Sequence, residues 1–146
     1  MKRFIIAMLI CLMVLAPVSA FALWVTANQV TVSWDANDTS ALETGERLMY
    51  RVYISNIKTD PEKANPVEVG ITDQTSLAVT IAQKGKYMAG VQAVLQVLGD
   101  DNTTWEEVGV SDISWSDNPA VTKDGLTFGI RFYPSPKQPT GIFPIN

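Results

Sequence analysis

The chain has 146 residues, with 11 basic and 15 acidic side chains, a formal net charge of −4, one cysteine and no histidine. The commonest catalytic base is therefore missing, together with most of the imidazole and thiolate ligands that transition-metal sites use. An acidic chain without a Lys/Arg cluster is also poorly suited to nucleic acid. We expect no cofactor, no metal and no nucleic-acid partner.

The first residues have the pattern of a secretory signal peptide. Lys2-Arg3 precedes an apolar run from Phe4 to Leu15, and Ala20-Phe21-Ala22 supplies a small-x-small cleavage signal. The run is shorter than the roughly 20 apolar residues of a spanning helix, so an uncleaved membrane anchor is the less favoured alternative. We expect residues 1–22 to be removed and the mature protein to be secreted or periplasmic, with no stable membrane insertion.

Alternation of apolar and polar residues predicts strands along most of the remaining chain. A polar loop, Asp35 to Glu46, follows the first strand, and a Gly99–Asn102 turn joins two strands as a hairpin. The predicted strands are 30–34, 50–55, a short edge strand at 67–72, 77–81 and a long strand at 87–97.

The strand after the hairpin changes parity along its length. Val108 and Val110 share one parity, whereas Ile113 and Trp115 share the other. Because successive side chains of a strand point to opposite faces, both pairs face the core only if a bulge or bend lies near Ser111-Asp112. We expect such a break there.

The start of the long strand has a recognisable pattern. A Gly-containing turn leads into Tyr87, and Tyr87, Ala89, Val91 and Ala93 point to one face. A tyrosine in this place is typical of the tyrosine corner, in which the hydroxyl bonds back to a nearby backbone group.

This pattern, with Ile81 before it and Trp34 far upstream, resembles the fibronectin type III domain, and Tyr50-Arg51-Val52-Tyr53 is similar to the third strand of that family. The resemblance covers residues 23–118. It implies an all-β fold, an antiparallel β-sandwich of about seven strands that acts as a binding scaffold. The implied core residues are Trp34, Tyr50, Val52, Ile81, Tyr87, Val91 and Ala93.

Residues 119–146 form a C-terminal extension outside the resemblance. An apolar stripe of Leu126, Phe128, Ile130 and Phe132 predicts one more strand, and a Pro-rich tail follows it. The stripe must be covered, either by folding back along an edge of the sandwich or by adding to another subunit or partner. Within the tail, residues 136–142 resemble the lead-in to a first strand of the family.

Two other places are candidates for binding. Asp100-Asp101-Asn102 offers oxygen ligands to calcium but lacks the spacing of a recognised loop, so solvated turn residues are the favoured interpretation. Trp105 lies among polar residues, where it either stacks on a sugar or anchors a protein contact, or packs across the hairpin.

These patterns predict an exported, non-enzymatic binding or structural module that serves protein–protein assembly or adhesion. Loops 35–46 and 99–106 and the extension would carry recognition, with an unidentified protein partner or a second copy. The alternative is a carbohydrate-binding accessory module or a weak carboxylate-based glycoside hydrolase, which makes a glycan the other candidate partner. The candidate binding residues are Trp105, Asp101, Asn102, Phe128 and Phe132.

Overall fold

The structure, a computed structural model, describes residues 22–135. Residues 1–21, which hold the apolar run of the predicted signal peptide, and the tail from residue 136 lie outside the described residues. The strands are β1 (Leu23–Thr26), β2 (Gln29–Ser33), β3 (Glu46–Asn56), β4 (Val67–Thr72), β5 (Ser76–Thr80), β6 (Gly85–Leu98), β7 (Trp105–Val110), β8 (Ser114–Trp115) and β9 (Phe128–Phe132). A short 3₁₀ turn, Lys123–Gly125, precedes β9.

The strands form two sheets of unequal size. The large sheet has the order β1-β9-β6-β3-β4, and β7 and β8 also pair with β6. Within the described range, the small sheet contains only β2 and β5, paired antiparallel. The predicted all-β sandwich is therefore confirmed, but it is not purely antiparallel, because β1 runs parallel to β9.

The core lies between the two sheets. The large sheet contributes Val52, Ile54, Tyr87, Ala89 and Ile130, and the small sheet and the residue after it contribute Val32, Val79 and Ile81. The predicted core residues are in this region: Tyr50, Val52, Ile81 and Tyr87 are buried, Trp34 and Val91 pack against the cluster half-buried, and Ala93 is half-buried.

The tyrosine corner is present at the start of β6. The Tyr87 hydroxyl donates to the carbonyl oxygen of Gln83 at 3.0 Å, and the side chain is 7% exposed. The bond ties the β5–β6 connection to the strand that follows it, as the sequence predicts.

Three consecutive pieces of chain line one edge of β6. β7 pairs with its C-terminal part, β8 with Gly90 and Val91, and β9 with its first residues. Residues 117–127 make an excursion between β8 and β9, and the N–H of Phe128 bonds to the carbonyl of Ser116 at 2.9 Å where the chain returns.

The apolar stripe of the extension folds back on its own sandwich. Ile130 is 0% exposed, and Phe128 and Phe132 pack against the core cluster. Leu126 departs from this prediction, because it belongs to the excursion before β9 and is 70% exposed. The stripe therefore completes the large sheet.

The return strand differs from the prediction for Val108 and Val110. Gln96 pairs with Glu107 and Leu95 with Gly109, so Val108 is the extra residue of a bulge. Val108 is 56% and Val110 is 52% exposed, so neither belongs to the core between the sheets.

The predicted break near Ser111-Asp112 does occur. Ser111 bonds to Ala93, whereas Ser114 pairs with Val91, so two residues of the return strand stand opposite one residue of β6. The break turns Ile113 and Trp115 to the outer face of the large sheet, over Gly90, so the expectation that they face the core between the sheets is wrong.

Candidate functional site

One side of the sandwich is open along β2. β5 is the only strand that pairs with β2 among residues 22–135, so the other edge of β2 is free there. At the opposite edge of the small sheet, the Leu77 side chain lies 3.1 Å from the place where Gly70 of β4 would carry a Cβ. The sandwich is therefore closed at β4 and β5 and open at β2.

The outer edge of β2 carries backbone groups that no other strand within residues 22–135 bonds. The N–H of Trp34 bonds to Thr75 and the carbonyl of Asn28 accepts from Ile81, so even-numbered residues bond to the β5 side. Because bonding direction alternates along a strand, the N–H and C=O groups of Gln29, Thr31 and Ser33 point away from β5. This edge can accept another strand.

A groove of about 960 Å³ runs beside that edge, between the inner faces of the two sheets. Val30, Val32 and Trp34 line one wall, and Ala89, Val91 and Ala93 of β6 lie on the large sheet. The excursion 117–127 and the start of β1 form the rim, where Leu126 is 70% and Leu23 is 67% exposed. The lining is mainly apolar, which suits an extended segment with apolar side chains.

Two residues that line the groove each have a buried polar atom without a hydrogen-bond partner in the described part of the chain. The indole Nε1 of Trp34 and the hydroxyl of Thr122 are buried and make no hydrogen bond within residues 22–135. Buried polar groups of this kind normally find a partner, because an unmade bond costs roughly 1–3 kcal/mol.

The hairpin turn at Gly99–Asn102 uses its polar residues to shape the backbone. The hydroxyl and N–H of Thr104 and the N–H of Thr103 donate to the Asp101 carboxylate and hold the pKa of that carboxyl well below its usual range. Asn102 has a φ of 51°, which the left-handed turn position requires. Asp101 and Asn102 thus build the turn.

Trp105 lies on the outer face of the large sheet, not at a bare hairpin tip. It pairs with Leu98, and the Arg47 guanidinium carbon is 4.0 Å from its ring centroid. One face of the indole is thus covered by a cation, which is a stabilising contact in its own right. Trp105 thus stands opposite Leu98 of the hairpin and stacks on Arg47 of β3.

Two further tryptophans on that outer face have the same arrangement. The ammonium of Lys86 is 5.2 Å from the ring centroid of Trp24, and that of Lys63 is 5.7 Å from the centroid of Trp115. Lys63 also forms an ion pair with Asp117 at 2.8 Å. Three pairs of a cation and an indole ring therefore lie on the outer face.

The structure separates the predicted binding residues. Trp105, Asp101 and Asn102 belong to the β6–β7 hairpin, whereas Phe128 and Phe132 lie in β9, which pairs with the opposite end of β6. Phe128 is the one predicted binding residue that lines the groove. Groove residues such as Val30 and Ala93 have the alternation of ordinary core residues in the sequence. Alternation therefore does not predict that these residues line an open groove.

No group of three or more metal-ligating side chains occurs within the described range 22–135. Over the same range, no helix has the length and apolar character needed to cross a bilayer. Comparison of the chain with family models, curated proteins and solved structures finds no match.

Proposed function

We propose that this protein is an exported, non-catalytic binding module that holds an extended segment of another polypeptide against β2. The observation that carries the proposal is the free edge of β2 beside an apolar groove. An added strand would satisfy the backbone groups of Gln29, Thr31 and Ser33 and would bury alternate side chains against Val91 and Ala93. The fibronectin type III resemblance supports a binding scaffold in the same sense.

The groove also accounts better for recognition than the sequence candidates do. The Asp101 carboxylate is engaged in the hairpin turn, Trp105 stacks on Arg47 of β3, and Phe132 packs against the core. In contrast, Leu23 and Leu126 expose apolar surface at the groove rim, where a partner would cover it.

Selection of peptides from a phage-displayed library on the full chain tests this function. We expect recovered peptides to alternate apolar and polar residues and to bind in the micromolar range. Thr31→Pro removes one outward N–H, and Ser114→Arg places a bulky cation at the exposed β8 side of the groove. Each substitution should weaken binding at least tenfold.

Ser76→Arg is the matched control, because Ser76 is exposed on β5 and does not line the groove. It should leave peptide affinity unchanged. Thermal melts of every variant establish that it is folded. Peptides that bind all three variants equally, or a selection that recovers no peptide, would show that the groove is not a strand-binding site.

A further inference from the structure

We propose that a second site, a cleft at the end of the large sheet where β3 ends and β6 begins, binds the phosphate group of a small phosphate monoester. The cleft has a volume of about 370 Å³, and it shares no lining residue with the groove beside β2. The two sites are therefore independent, and failure of one leaves the other intact.

Strand pairing in the large sheet brings three separate segments to this cleft. Asn56, the last residue of β3, pairs with Tyr87 of β6. Gly85, the first residue of β6, pairs with Phe132 of β9. The end of β3, the start of β6 and the end of β9 therefore meet at one end of the sheet. The residues that line the cleft there are Asn56 to Lys58, Lys84 to Lys86, and Tyr133.

Three lysines line the cleft. Lys58, Lys84 and Lys86 are all exposed, and none of them forms an ion pair within residues 22–135. No acidic side chain of that range lines the cleft, although the chain has 15 acidic and 11 basic residues. A cleft lined by charge of one sign concentrates ions of the opposite sign. This cleft is therefore suited to an anion.

The remaining polar groups of the cleft offer donors. The Asn56 Oδ1 accepts from the N–H of Lys58 at 3.0 Å, which leaves the amide Nδ2 as the group available to a ligand. The backbone carbonyl of Asn56 accepts from Asp60 at 2.8 Å, and that of Lys86 accepts from Ile57 at 3.0 Å. These acceptors are engaged within the protein, so donors to an oxyanion predominate in the cleft.

A glycine gives the Asn56 amide its place. A Cβ at position 85 would come 2.7 Å from the Asn56 Nδ2, which is closer than real carbon contacts allow. Because Gly85 has no side chain, the amide packs against the backbone between Lys84 and Lys86. The amide donor and two of the three lysines thus belong to the same part of the cleft.

Lys86 is held in place without losing its charge. Its ammonium lies 5.2 Å from the ring centroid of Trp24, a contact that attracts a cation through the ring quadrupole. The indole has no net charge, so the contact does not neutralise the lysine as a carboxylate would. The charge of Lys86 therefore remains available to an anion in the cleft.

The charge and the size of the cleft indicate the class of ligand. Three lysines suit a phosphate monoester better than a carboxylate, because the monoester carries a charge of about −1.5 to −2 at neutral pH. The cleft is at the small end of the range of ligand pockets, which is roughly 300–1,000 Å³. The net charge of −4 on the chain opposes a long polyanion. A small ester with one phosphate group fits both limits.

NMR titration of the full chain with inorganic phosphate tests the site, with sodium chloride at the same ionic strength as the reference. We expect the backbone amides of Gly85 and Lys86 and the Trp24 indole to shift with saturation in the millimolar range. Lys84→Gln and Lys86→Gln should each weaken binding at least threefold, because each removes one charge.

Asn56→Asp is the most specific variant. It keeps the oxygen that accepts from the Lys58 N–H and replaces the amide donor by a carboxylate oxygen, so phosphate binding should weaken at least tenfold. Asn102→Asp is the matched control, since it adds the same charge in the hairpin turn beyond the other end of β6. It should leave phosphate affinity unchanged, and thermal melts show that each variant is folded.

Three results would overturn the inference. Chloride that produces the same shifts as phosphate means that salt only screens the surface charge. Phosphate that binds Asn56→Asp as tightly as the parent means that the cleft is not the site. Equal weakening in Asn102→Asp and Asn56→Asp means that only the total charge of the protein matters.

Two further probes distinguish the sources of the phosphate group. Tighter binding of glycerol phosphate than of inorganic phosphate, sensitive to Asn56→Asp, assigns the site to a soluble ester. Cosedimentation with phosphatidylcholine vesicles only when they contain phosphatidic acid, again lost in Asn56→Asp, assigns the phosphate to a lipid headgroup. Cosedimentation that Asn56→Asp does not change would exclude the cleft as the contact with lipid.

Discussion

Trp115 stands directly opposite Gly90 in the β6–β8 pair, and its ring takes the space that a side chain at position 90 would need. A Cβ on Gly90 would come within 2.8 Å of the indole and 2.6 Å of the Ile113 methyl. Both distances are shorter than real carbon contacts allow. The glycine is therefore required for the outer face to pack.

Gly90→Ala should destabilise the protein by about 1–3 kcal/mol, because a stiff ring and a branched side chain must both move. Gly109→Ala is the control, since a Cβ there would meet only the Leu95 Cβ at 3.9 Å. The free energy of unfolding of Gly109→Ala should lie within about 0.5 kcal/mol of that of the parent. Urea unfolding measures both, and equal effects would refute the packing described for Trp115.

Tyr87→Phe should lower the free energy of unfolding by about 1 kcal/mol, because it removes the hydroxyl bond to Gln83 and keeps the buried ring. Tyr53→Phe makes the same change where the hydroxyl bonds a half-exposed Gln92 side chain. That control should cost less than about 0.5 kcal/mol. If the Tyr87→Phe protein is as stable as the parent, the hydroxyl bond of the tyrosine corner does not stabilise the fold.

Ile130→Ala tests whether β9 belongs to the core. Ile130 is 0% exposed, so the substitution should cost about 2–5 kcal/mol. Leu126→Ala changes an apolar residue of the same stripe that is 70% exposed, and it should cost less than about 0.5 kcal/mol. Comparable losses in chemical denaturation would contradict the position of β9.

Asp101 makes the hairpin sensitive to acid. Hydrogen bonds from Thr104 and Thr103 lower its folded pKa, so its stabilising effect is present above the ordinary Asp pKa of about 3.9 and is lost as pH falls toward the folded value. Asp101→Asn should therefore reduce stability at pH 6, and the difference from the parent should shrink below pH 4.

Thermal melts between pH 6 and pH 2 check this dependence. Asp100→Asn is the control, since the Asp100 carboxylate makes no hydrogen bond to the described part of the chain, and its effect should be small throughout. If the stability lost in Asp101→Asn grows as pH falls, the folded pKa of Asp101 is not lowered.

Local pattern predicted much of the fold. The sequence predicted the hydrogen bond of the Tyr87 hydroxyl, because a tyrosine corner depends only on the turn before the tyrosine and the strand after it. β4 begins and ends at the predicted residues, Val67 and Thr72. Period-two alternation reports which face of a strand is buried, and this held for Val52, Ile54 and Ala89.

The open side of the sandwich could not be predicted from the alternation of apolar and polar residues. Alternation shows that Val30 and Val32 face inward, but it does not show which strand stands beside them. The neighbour of β1 is β9, far away in the sequence, and this choice leaves β2 with a free edge. The prediction that Val108 faces the core was wrong for a related reason. A bulge changes which face of the sheet a residue points to, and the amino-acid composition of the strand does not reveal it.

The parallel pairing of β1 with β9 also constrains the order of folding. Arg131 donates to the Thr26 hydroxyl across 105 positions of chain, so this edge depends on two of the most distant described segments. Contacts of such separation form slowly, and synthesis delivers β1 long before β9. A nascent chain that lacks β9 leaves β1 and the first residues of β6 without their neighbour. Such a chain exposes strand edges to other chains until β9 is synthesised and pairs with them.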